Sequence, residues 1–365
     1  MLFFRNAGTR TGQNIMKRES LLYNKVGGGG VQCNICQRRC KIKDGRYGYC
    51  GTRLNDKGKL YTLIYGEIST WRVAPSEIKP IFHFIPGGRW LSLGSLGCNF
   101  RCIGCQNWDI AHFRVDRDGI YGTEYMSTET AIELAKKYGV DGISWTYNEP
   151  TTSFEYTLDM AKLAKKGGLY TSYVTNGFIT REALDIIGPY LDVFRVDIKG
   201  FSNEFYKKIA NVADFKGILK VTERAKKRWS MWVEVVTNVI PGYNDSETEL
   251  QRIACWIRDT LGKDTPWHVT RFVPHLKLDD IPFTPVATLE EARKVGVDAG
   301  LKFVYLGNVP GHPYENTYCP KCQRLLIRRY NYEILEYNIK NGNCIYCDEK
   351  IPIRQEPTNT LSVTE

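Results

Sequence analysis

The sequence lacks the features of membrane and exported proteins. Its 365 residues contain no continuous apolar run long enough to cross a bilayer. The N-terminus turns basic directly after Met-Leu-Phe-Phe and has no apolar stretch of signal-peptide length. Internal repeats and long low-complexity segments are also missing, apart from a short glycine run at 27–30. These absences exclude a membrane-embedded protein and lead us to expect a cytoplasmic one.

The sequence also has little need of disulfide bonds. A chain of this length can bury a full hydrophobic core without covalent cross-links, and 42% hydrophobic with 25% charged residues is ordinary for a globular protein. Eleven of its 12 cysteines fall into three close-spaced groups, a pattern typical of metal ligands in a reducing compartment. The groups are Cys33, Cys36, Cys40 and Cys50; Cys98, Cys102 and Cys105; and Cys319, Cys322, Cys344 and Cys347.

The sequence has fewer acidic than basic residues. Its 50 Lys and Arg and 40 Asp and Glu give a formal net charge of +10. Such an excess favours acidic partners, either nucleic acid or an acidic protein surface. A basic surface that simply faces solvent is the more common explanation. The charge therefore leaves the kind of partner open.

Residues 85–310 carry the clearest regularity, because apolar segments of strand length alternate there with amphipathic helical segments. Repeated βα units imply parallel strands joined by right-handed crossovers. We predict strands at 90–95, 142–146, 169–175, 193–198, 231–237, 268–273 and 302–306. We predict helices at 128–138, 153–166, 181–187, 219–227, 246–261 and 289–299.

The expected fold is an α/β protein with a partial (βα)6-type parallel barrel, which need not close. Functional residues of such sheets lie at the carboxyl ends of the strands. Small cysteine-rich metal-binding modules flank the barrel on both sides. The predicted divisions are an N-terminal segment with a four-cysteine module at 1–84, the barrel at 85–310, and a zinc-ribbon-like module with a polar tail at 311–365.

Three cysteines with the spacing Cys98-x3-Cys102-x2-Cys105 follow the first predicted strand. Thiolates are the natural ligands of iron–sulfur clusters, and three of them on a four-iron cluster leave one iron with open positions. An open position is typical of a reactive metal site, whereas a structural site is closed. The alternative is a zinc site in which His112 supplies the fourth ligand.

Polar side chains follow the next predicted strands. Asn148 and Glu149 come after the second strand, where a carboxylate could bind an ammonium group or merely begin a helix at Pro150. Asp197 and Lys199 alternate on the fourth strand and therefore point to one face, so inside a barrel they need a ligand or each other. Asn176 follows the third strand, and Lys199 and His268 are candidate substrate-site residues, although a lone histidine is more often a core residue.

The cysteine motif after the first strand resembles the radical S-adenosylmethionine (SAM) superfamily. The resemblance implies that Cys98, Cys102 and Cys105 hold a 4Fe–4S cluster whose open iron binds the amino and carboxylate groups of SAM. It implies that one electron from the cluster breaks a sulfur–carbon bond, and that the resulting 5′-deoxyadenosyl radical abstracts hydrogen from a substrate.

The same resemblance assigns further contacts with SAM. It implies that Glu149, preceded by Asn148, binds the amino group, and that Asn176 and Asp197 bind the ribose and carboxylate sides. Gly104 departs from the superfamily, in which the residue before the third cysteine is usually aromatic. The adenine would then contact the backbone around Gly104.

A narrower resemblance runs from about residue 21 to residue 353. The motifs that carry it are Cys33-Asn-Ile-Cys36-Gln-Arg-Arg-Cys40, Gly45-Arg-Tyr-Gly48-Tyr-Cys50, Tyr147-Asn-Glu-Pro150, Pro266-Trp-His-Val-Thr-Arg271 and the two C-terminal Cys-x2-Cys pairs. Together they resemble the AmmeMemoRadiSam system radical SAM enzymes, which are related to pyruvate formate-lyase activating enzymes. The resemblance implies association with Memo-like and AMMECR-type proteins, but it implies no substrate.

The two outer cysteine groups have the spacing of metal sites. Cys319-x2-Cys322 and Cys344-x2-Cys347 predict zinc in a closed tetrahedral site, although a single iron fits the same ligands. For Cys33, Cys36, Cys40 and Cys50, zinc is the default expectation and a second iron–sulfur cluster is the alternative. Between the C-terminal pairs lie residues that could contact nucleic acid or only solvent, namely Arg324, Arg328, Arg329 and Tyr330.

The function expected from these features is radical SAM chemistry on a macromolecule, with an activase acting on a backbone glycine of a partner protein. Radical modification of RNA or of a protein side chain is the first alternative. The second alternative is of another class: a zinc-bound nucleic-acid-binding adaptor with an inactive barrel. The enzyme would need a reductant such as a ferredoxin or a flavodoxin.

Overall fold

The computed structural model describes residues 16–355 and is built around one eight-stranded sheet. In chain order the strands are β1 (Thr70–Pro75), β2 (Arg89–Gly94), β3 (Gly142–Trp145), β4 (Tyr170–Thr175), β5 (Val193–Asp197), β6 (Trp232–Val239), β7 (Trp267–Arg271) and β8 (Val304–Gly307). Strands β2 to β8 are parallel neighbours in sequence order, and β1 pairs antiparallel with β2. The seven predicted strands and the open parallel barrel are thus confirmed, with β1 as an additional edge strand.

Helices connect the parallel strands, as the alternation predicted. They are α1 (Thr128–Lys137), α2 (Phe154–Lys166), α3 (Arg181–Ile187), α4 (Asn203–Ala210), α5 (Lys216–Trp229), α6 (Glu247–Trp256, prolonged by a π-helical turn at Ile257–Leu261) and α7 (Val286–Asp298). Ser127, Thr180, Ser202 and Ser246 each accept a hydrogen bond from the backbone three residues ahead, which caps α1, α3, α4 and α6. Helix α4 was not predicted.

The two faces of the sheet differ in polarity. The outer face packs apolar side chains such as Ile143, Val196 and Val269 against the helices. Ser144 lies in register with Ser92 and Ser172 on the neighbouring strands, and all three are buried on the inner face. Strands β2, β3 and β4 thus place small hydroxyl side chains side by side on the inner face.

The N-terminal module lies against the carboxyl ends of the barrel strands. Its strands are Arg18–Glu19, Tyr23–Val26, Gly30–Cys33, Lys41–Ile42, Arg53–Asp56 and Lys59–Thr62, and Glu67–Ile68 pairs with Glu124–Tyr125. A fully buried ion pair of 2.7 Å between Arg53 and Glu155 of α2 fixes the module to the barrel. The backbone of Gln37 also donates to the carbonyl of Phe178, beyond the end of β4. The predicted divisions at 84 and 310 stay predictions, although the sheet itself already includes β1, before residue 84.

The C-terminal module packs at the opposite, amino-terminal side of the sheet. Its strands are Thr317–Tyr318, Leu325–Tyr330, Glu333–Tyr337, Ile339–Lys340 and Asn343–Cys344. Arg329 is buried, pairs with Glu77 at 3.4 Å and lies over the ring of Phe82. The expectation that Arg329 could contact nucleic acid is therefore wrong, whereas Arg324 and Arg328 are exposed. Within residues 16–355, none of the helices combines the length and the apolar character needed to cross a membrane.

Candidate active site

The loop that carries the three barrel cysteines leaves the carboxyl end of β2. Gly97 has a left-handed φ of +76°, and a Cβ there would lie 2.9 Å from the carbonyl oxygen of Cys50. Arg101 donates hydrogen bonds of 2.7 Å to the carbonyls of Cys98 and Phe100 inside the loop. A backbone donor, Phe100 N, lies 3.3 Å from the Cys98 sulfur. The sequence therefore folds into a tight loop that presents its cysteines at the barrel mouth.

The donor set of this loop fits an iron–sulfur cluster better than zinc. A tetrahedral zinc ion with Zn–S bonds of about 2.3 Å holds its sulfurs about 3.8 Å apart. Within residues 16–355, the four C-terminal cysteines are the only cysteine, histidine or acidic side chains that gather, in threes or more, with their ligand atoms all within 4.8 Å of one another. Cys98, Cys102, Cys105 and His112 do not form such a group.

Burial keeps the barrel cysteines protonated until a metal binds. Burial raises the pKa of Cys105 to about 12. Burial, followed by the charge of Glu149, raises the pKa of Cys98 well above the ordinary value. Since the thiolate is the ligand, the positive charge of bound iron must drive its ionisation.

Asn176 lies next to the first cysteine, as expected of a residue at the end of β4. Its side-chain amide donates to Asn99 Oδ1 at 2.8 Å and lies 3.8 Å from the Cys98 sulfur. The backbone of Phe178 donates to Asn176 Oδ1. Both the nitrogen and the oxygen of the Asn176 amide are therefore hydrogen-bonded, and these bonds hold the side chain toward the cluster loop.

Glu149 lies at the end of β3, within a buried network of hydrogen bonds. Its carboxylate accepts hydrogen bonds from the hydroxyl of Thr175 at 2.8 Å, from Asn176 N at 2.8 Å, and from both the backbone and hydroxyl of Thr151. The carboxylate thereby joins the ends of β3 and β4. This network gives Glu149 a positioning role, and its contact with the ammonium group of SAM stays a prediction.

Asn148 acts on the backbone of the cluster loop. It accepts a hydrogen bond from Ser95 N at 2.9 Å and donates one to the carbonyl of Gly97 at 2.8 Å. The preceding Tyr147 has a left-handed φ of +73°, and its carbonyl accepts a bond from Asn107, just beyond the third cysteine. The turn after β3 therefore holds the cysteine loop at both of its ends.

Asp197 and Lys199 share one face, as predicted, and they form the internal salt bridge that was the alternative to a ligand. Lys199 Nζ lies 3.0 Å from Asp197 Oδ2, and Arg195 donates to the other carboxylate oxygen. Burial alone would raise the pKa of Asp197, but the charges of Arg195 and Lys199 outweigh burial and lower it. With two cations around one carboxylate, this side of the barrel mouth carries positive charge.

Close packing around residue 104 explains why this position is a glycine, which the sequence alone does not reveal. A Cβ at this position would lie 2.8 Å from Leu278 Cδ1 and 3.4 Å from the ring of Phe272. Both side chains are buried. The space that an aromatic residue would occupy before the third cysteine is thus filled by side chains that follow β7.

His268 is a core residue and not a candidate for substrate contact, which corrects the expectation. It is the second residue of β7 and therefore lies toward the amino end of the strand, away from the cluster loop. It is 1% exposed, and its Nε2 lies 2.8 Å from Glu234 Oε2. Glu234 also accepts hydrogen bonds from the backbone of Phe82 and His83. The histidine thus completes a buried polar network, as buried charges require.

The C-terminal cysteines form a compact metal-binding group. Cys319 and Cys347 have their sulfurs 3.6 Å apart, and Cys322 and Cys344 have theirs 3.8 Å apart. All four sulfurs lie within 4.8 Å of one another. These separations match a single tetrahedral ion.

Two residues of the site escaped the sequence analysis. Arg101 donates to the carbonyls of both Cys98 and Tyr49, so it joins the barrel loop to the N-terminal module. Asn99 accepts the hydrogen bond from Asn176. Their only sequence signal is that they are polar residues between two ligating cysteines.

The chain resembles several known proteins. The family model of the radical SAM superfamily matches residues 93–252. The chain is 43% identical over 338 residues to an uncharacterized protein of Methanocaldococcus jannaschii, covering 92% of this chain and 99% of that one. It is 24% identical over 185 residues to the pyruvate formate-lyase 1-activating enzyme of Escherichia coli, covering 48% and 70%. A radical SAM methyltransferase from Sphaerobacter thermophilus shares 14% identity and a TM-score of 0.47, over 61% and 67% of the two chains.

An open parallel barrel with three cysteines on the loop after its first parallel strand defines an enzyme that works through an iron–sulfur cluster. The chain belongs to the radical SAM superfamily and has homologues among pyruvate formate-lyase activating enzymes. It is an enzyme of this class, so the alternative of an adaptor with an inactive barrel is set aside. The family implies a 4Fe–4S cluster and SAM as cofactors, and Cys98, Cys102 and Cys105 are the residues that fit the cluster.

Proposed function

We propose that this enzyme reductively cleaves SAM and uses the resulting radical to abstract hydrogen from a macromolecule. A 4Fe–4S cluster held by Cys98, Cys102 and Cys105 would pass on one electron from a ferredoxin or a flavodoxin, and this electron would split SAM into methionine and a 5′-deoxyadenosyl radical. That radical takes a hydrogen atom from a C–H bond, which gives 5′-deoxyadenosine and a substrate radical. A backbone glycine of a partner protein is the leading substrate, by analogy with the activating enzymes.

The observation that carries this proposal is the convergence of Cys98, Asn176 and the Asp197–Lys199 pair on one end of the barrel. The cysteines supply only three ligands, so one iron of a four-iron cluster keeps open positions for SAM. The strand-end residues surround the same mouth.

An exposed aromatic side chain beside the cysteine loop is compatible with a macromolecular substrate. Trp108, three residues after the last cysteine of the loop, is 50% exposed. Aromatic residues are enriched in surfaces that bind another macromolecule. The net charge of +10 favours RNA or an acidic protein as that partner, and RNA or protein side-chain modification remains the second candidate.

Deuterium transfer tests the substrate class. The enzyme is incubated with SAM, reductant and the macromolecular fraction of source cells grown in deuterated water, and the 5′-deoxyadenosine is analysed by mass spectrometry. Deuterium in the product that disappears after protease treatment supports a protein substrate, and disappearance after ribonuclease supports RNA. The small-molecule fraction of the same cells is tested in parallel. If only that fraction transfers deuterium to 5′-deoxyadenosine, the proposal of a macromolecular substrate is contradicted.

Three further assignments belong to the same proposal. We propose zinc for the C-terminal site, because the sulfur separations of 3.6 and 3.8 Å suit a closed tetrahedral ion. Membership of the AmmeMemoRadiSam system, with Memo-like and AMMECR-type partners, is supported by motifs along most of the chain. A reducing cytoplasm is the compartment in which eleven clustered cysteines would keep their metals.

A further inference from the structure

The N-terminal cysteines line one cavity beside the barrel mouth. Cys33, Cys36, Cys40 and Cys50 all border it. The cavity contains about 370 Å³ of space free of protein atoms, part of it open to solvent. Four thiol groups around a shared space make up a complete ligand set for one metal centre.

The spread of these sulfurs distinguishes a cluster from a single ion. Within the described chain, the C-terminal cysteines gather as a compact group, whereas the N-terminal four do not. A zinc ion would hold four sulfurs about 3.8 Å apart. In the N-terminal group, as in the barrel loop, no three of the sulfurs lie within 4.8 Å of one another.

The surroundings of the cavity suit a centre with several sulfur atoms. The hydroxyl of Thr52 donates to the Cys50 sulfur at 3.2 Å. Arg38 and Arg53 line the same space, and of the two only Arg53 is already paired with a carboxylate of the described residues, that of Glu155. Arg38 is held there by the carbonyls of Asn99 and Asn211. Hydrogen bonds to sulfur and nearby positive charge are the means by which proteins stabilise an anionic iron–sulfur centre.

The cavity adjoins the barrel cluster loop. Asn99, which directly follows Cys98, is part of the cavity lining. The guanidinium of Arg101 donates to Cys98 O at 2.7 Å and to Cys50 O at 3.4 Å, and so contacts both cysteine groups. From this geometry we infer that the N-terminal module binds a second 4Fe–4S cluster through Cys33, Cys36, Cys40 and Cys50, next to the radical SAM cluster.

This inference favours the alternative of a second iron–sulfur cluster over the default expectation of zinc at the N-terminal site. It deepens the proposed function without depending on SAM cleavage, because the second cluster has its own four ligands. A chain that carries two clusters but produces no 5′-deoxyadenosine would contradict the proposed function alone.

Metal analysis of the full chain, reconstituted anaerobically with iron and sulfide, tests the inference. A Cys98→Ala/Cys102→Ala/Cys105→Ala variant lacks the barrel ligands and should keep about four iron and four sulfide per chain. A Cys36→Ala/Cys40→Ala variant should lose that iron but keep the cluster of the barrel. Cys255→Ala, which changes a cysteine outside the three groups, is the control and should keep both clusters.

Spectroscopy separates loss of ligands from loss of fold. The barrel-cysteine variant should show the Mössbauer spectrum of a 4Fe–4S cluster, and in the parent the two reduced clusters should broaden each other's electron paramagnetic resonance signals. If the barrel-cysteine variant binds about two zinc ions and no iron under these conditions, the N-terminal site is a zinc site and the inference is wrong. Unbroadened signals from two fully reduced clusters would equally contradict their placement side by side.

Discussion

At the scale of single residues, Glu149 shows how burial changes the role of a side chain. From the sequence, a carboxylate at the end of a strand is predicted to bind an ammonium group. In the structure the same carboxylate satisfies the buried backbone and hydroxyl donors of Thr151, Thr175 and Asn176. It therefore stabilises the mouth on which the cofactor would bind, rather than offering a free charge.

Replacing Glu149 by alanine should therefore destabilise the protein. The change leaves several buried donors without an acceptor, at about 1–3 kcal/mol each, so we expect a loss of at least about 3 kcal/mol in urea unfolding. Glu182→Ala, which removes an exposed ion pair with Arg39, is the control and should cost less than about 1 kcal/mol. A Glu149→Ala protein as stable as the parent, but with SAM affinity reduced about ten- to a hundredfold, would show that Glu149 binds the cofactor after all.

Gly104 is a second residue whose environment decides its identity. Gly104→Ala would bring a Cβ within 2.8 Å of Leu278 Cδ1 and should cost about 1–2 kcal/mol through overpacking. Leu278→Ala removes the clashing atoms, so the double variant should lose less stability than the sum of the two single changes. Thermal unfolding of the three variants measures this coupling. Strict additivity would mean that Leu278 does not set the space at residue 104.

The cysteine ligands could be predicted from sequence because their spacing alone encodes the chemistry. Asn176 was also found, since the carboxyl end of a parallel strand is a reliable place for a site residue. Arg101 and Asn99 could not be found, because their roles depend on loops that meet only in the folded chain. His268 was wrongly taken as a candidate substrate-site residue. Strand alternation predicts that its side chain faces the inside of the barrel, but only the structure shows that it lies near the amino end of β7, away from the cluster loop.

At the scale of secondary-structure elements, periodicity predicted the seven parallel strands and six of the connecting helices. Strand β1 was missed because it is an edge strand that ends in Pro75, and proline weakens a strand pattern. Helix α4, with eight residues, was also missed, although the shorter α3 was predicted. What periodicity cannot supply is which module packs at which end of the barrel.

The joint between the barrel and the C-terminal module should be sensitive to acid through His83. Its Nδ1 lies 2.8 Å from the carbonyl of Pro352 and its Nε2 lies 2.6 Å from the hydroxyl of Tyr305. Burial lowers the pKa of His83 from 6.5 to about 4. Between pH 6.5 and about 4, the histidine is therefore protonated in the unfolded chain but neutral in the folded chain. The contribution of His83 to the free energy of unfolding is fully present above about pH 6.5 and decreases as the pH falls to about 4.

The size of this effect follows from the pKa difference, which corresponds to about 3 kcal/mol. A His83→Gln variant should lose this part of the pH dependence, although other groups such as Glu234 will still titrate. Urea unfolding of parent and variant at several pH values measures the difference in slope. Equal slopes between pH 4 and 7 would contradict a neutral, buried His83.

At the scale of the whole molecule, the three cysteine groups lie on two sides of the barrel. The N-terminal and barrel cysteines lie at the carboxyl ends of the strands, the side on which we propose that SAM is cleaved. The C-terminal site lies with its module at the other side, joined to the barrel through Arg329 and Glu77. The C-terminal metal is therefore expected to support the fold and not the reaction.

Loss of the C-terminal metal should consequently lower stability without removing iron. Cys344→Ala opens a closed four-cysteine site, and such sites contribute their binding energy directly to folding. We expect the variant to lose about one metal ion per chain and to unfold at a lower temperature, while its cluster iron is unchanged. Elemental analysis combined with thermal unfolding checks both points, and a loss of iron equal to a whole cluster would contradict the separation of the two sides.

The central claim, that this barrel performs radical SAM chemistry, is tested most directly by the formation of 5′-deoxyadenosine. The anaerobically reconstituted protein is reduced with dithionite and given SAM, and the products are separated by liquid chromatography. The parent should form 5′-deoxyadenosine and methionine, slowly without its substrate, whereas Cys102→Ala should form neither and Cys255→Ala should match the parent. A parent with a fully loaded and reduced cluster that yields no 5′-deoxyadenosine would contradict the account.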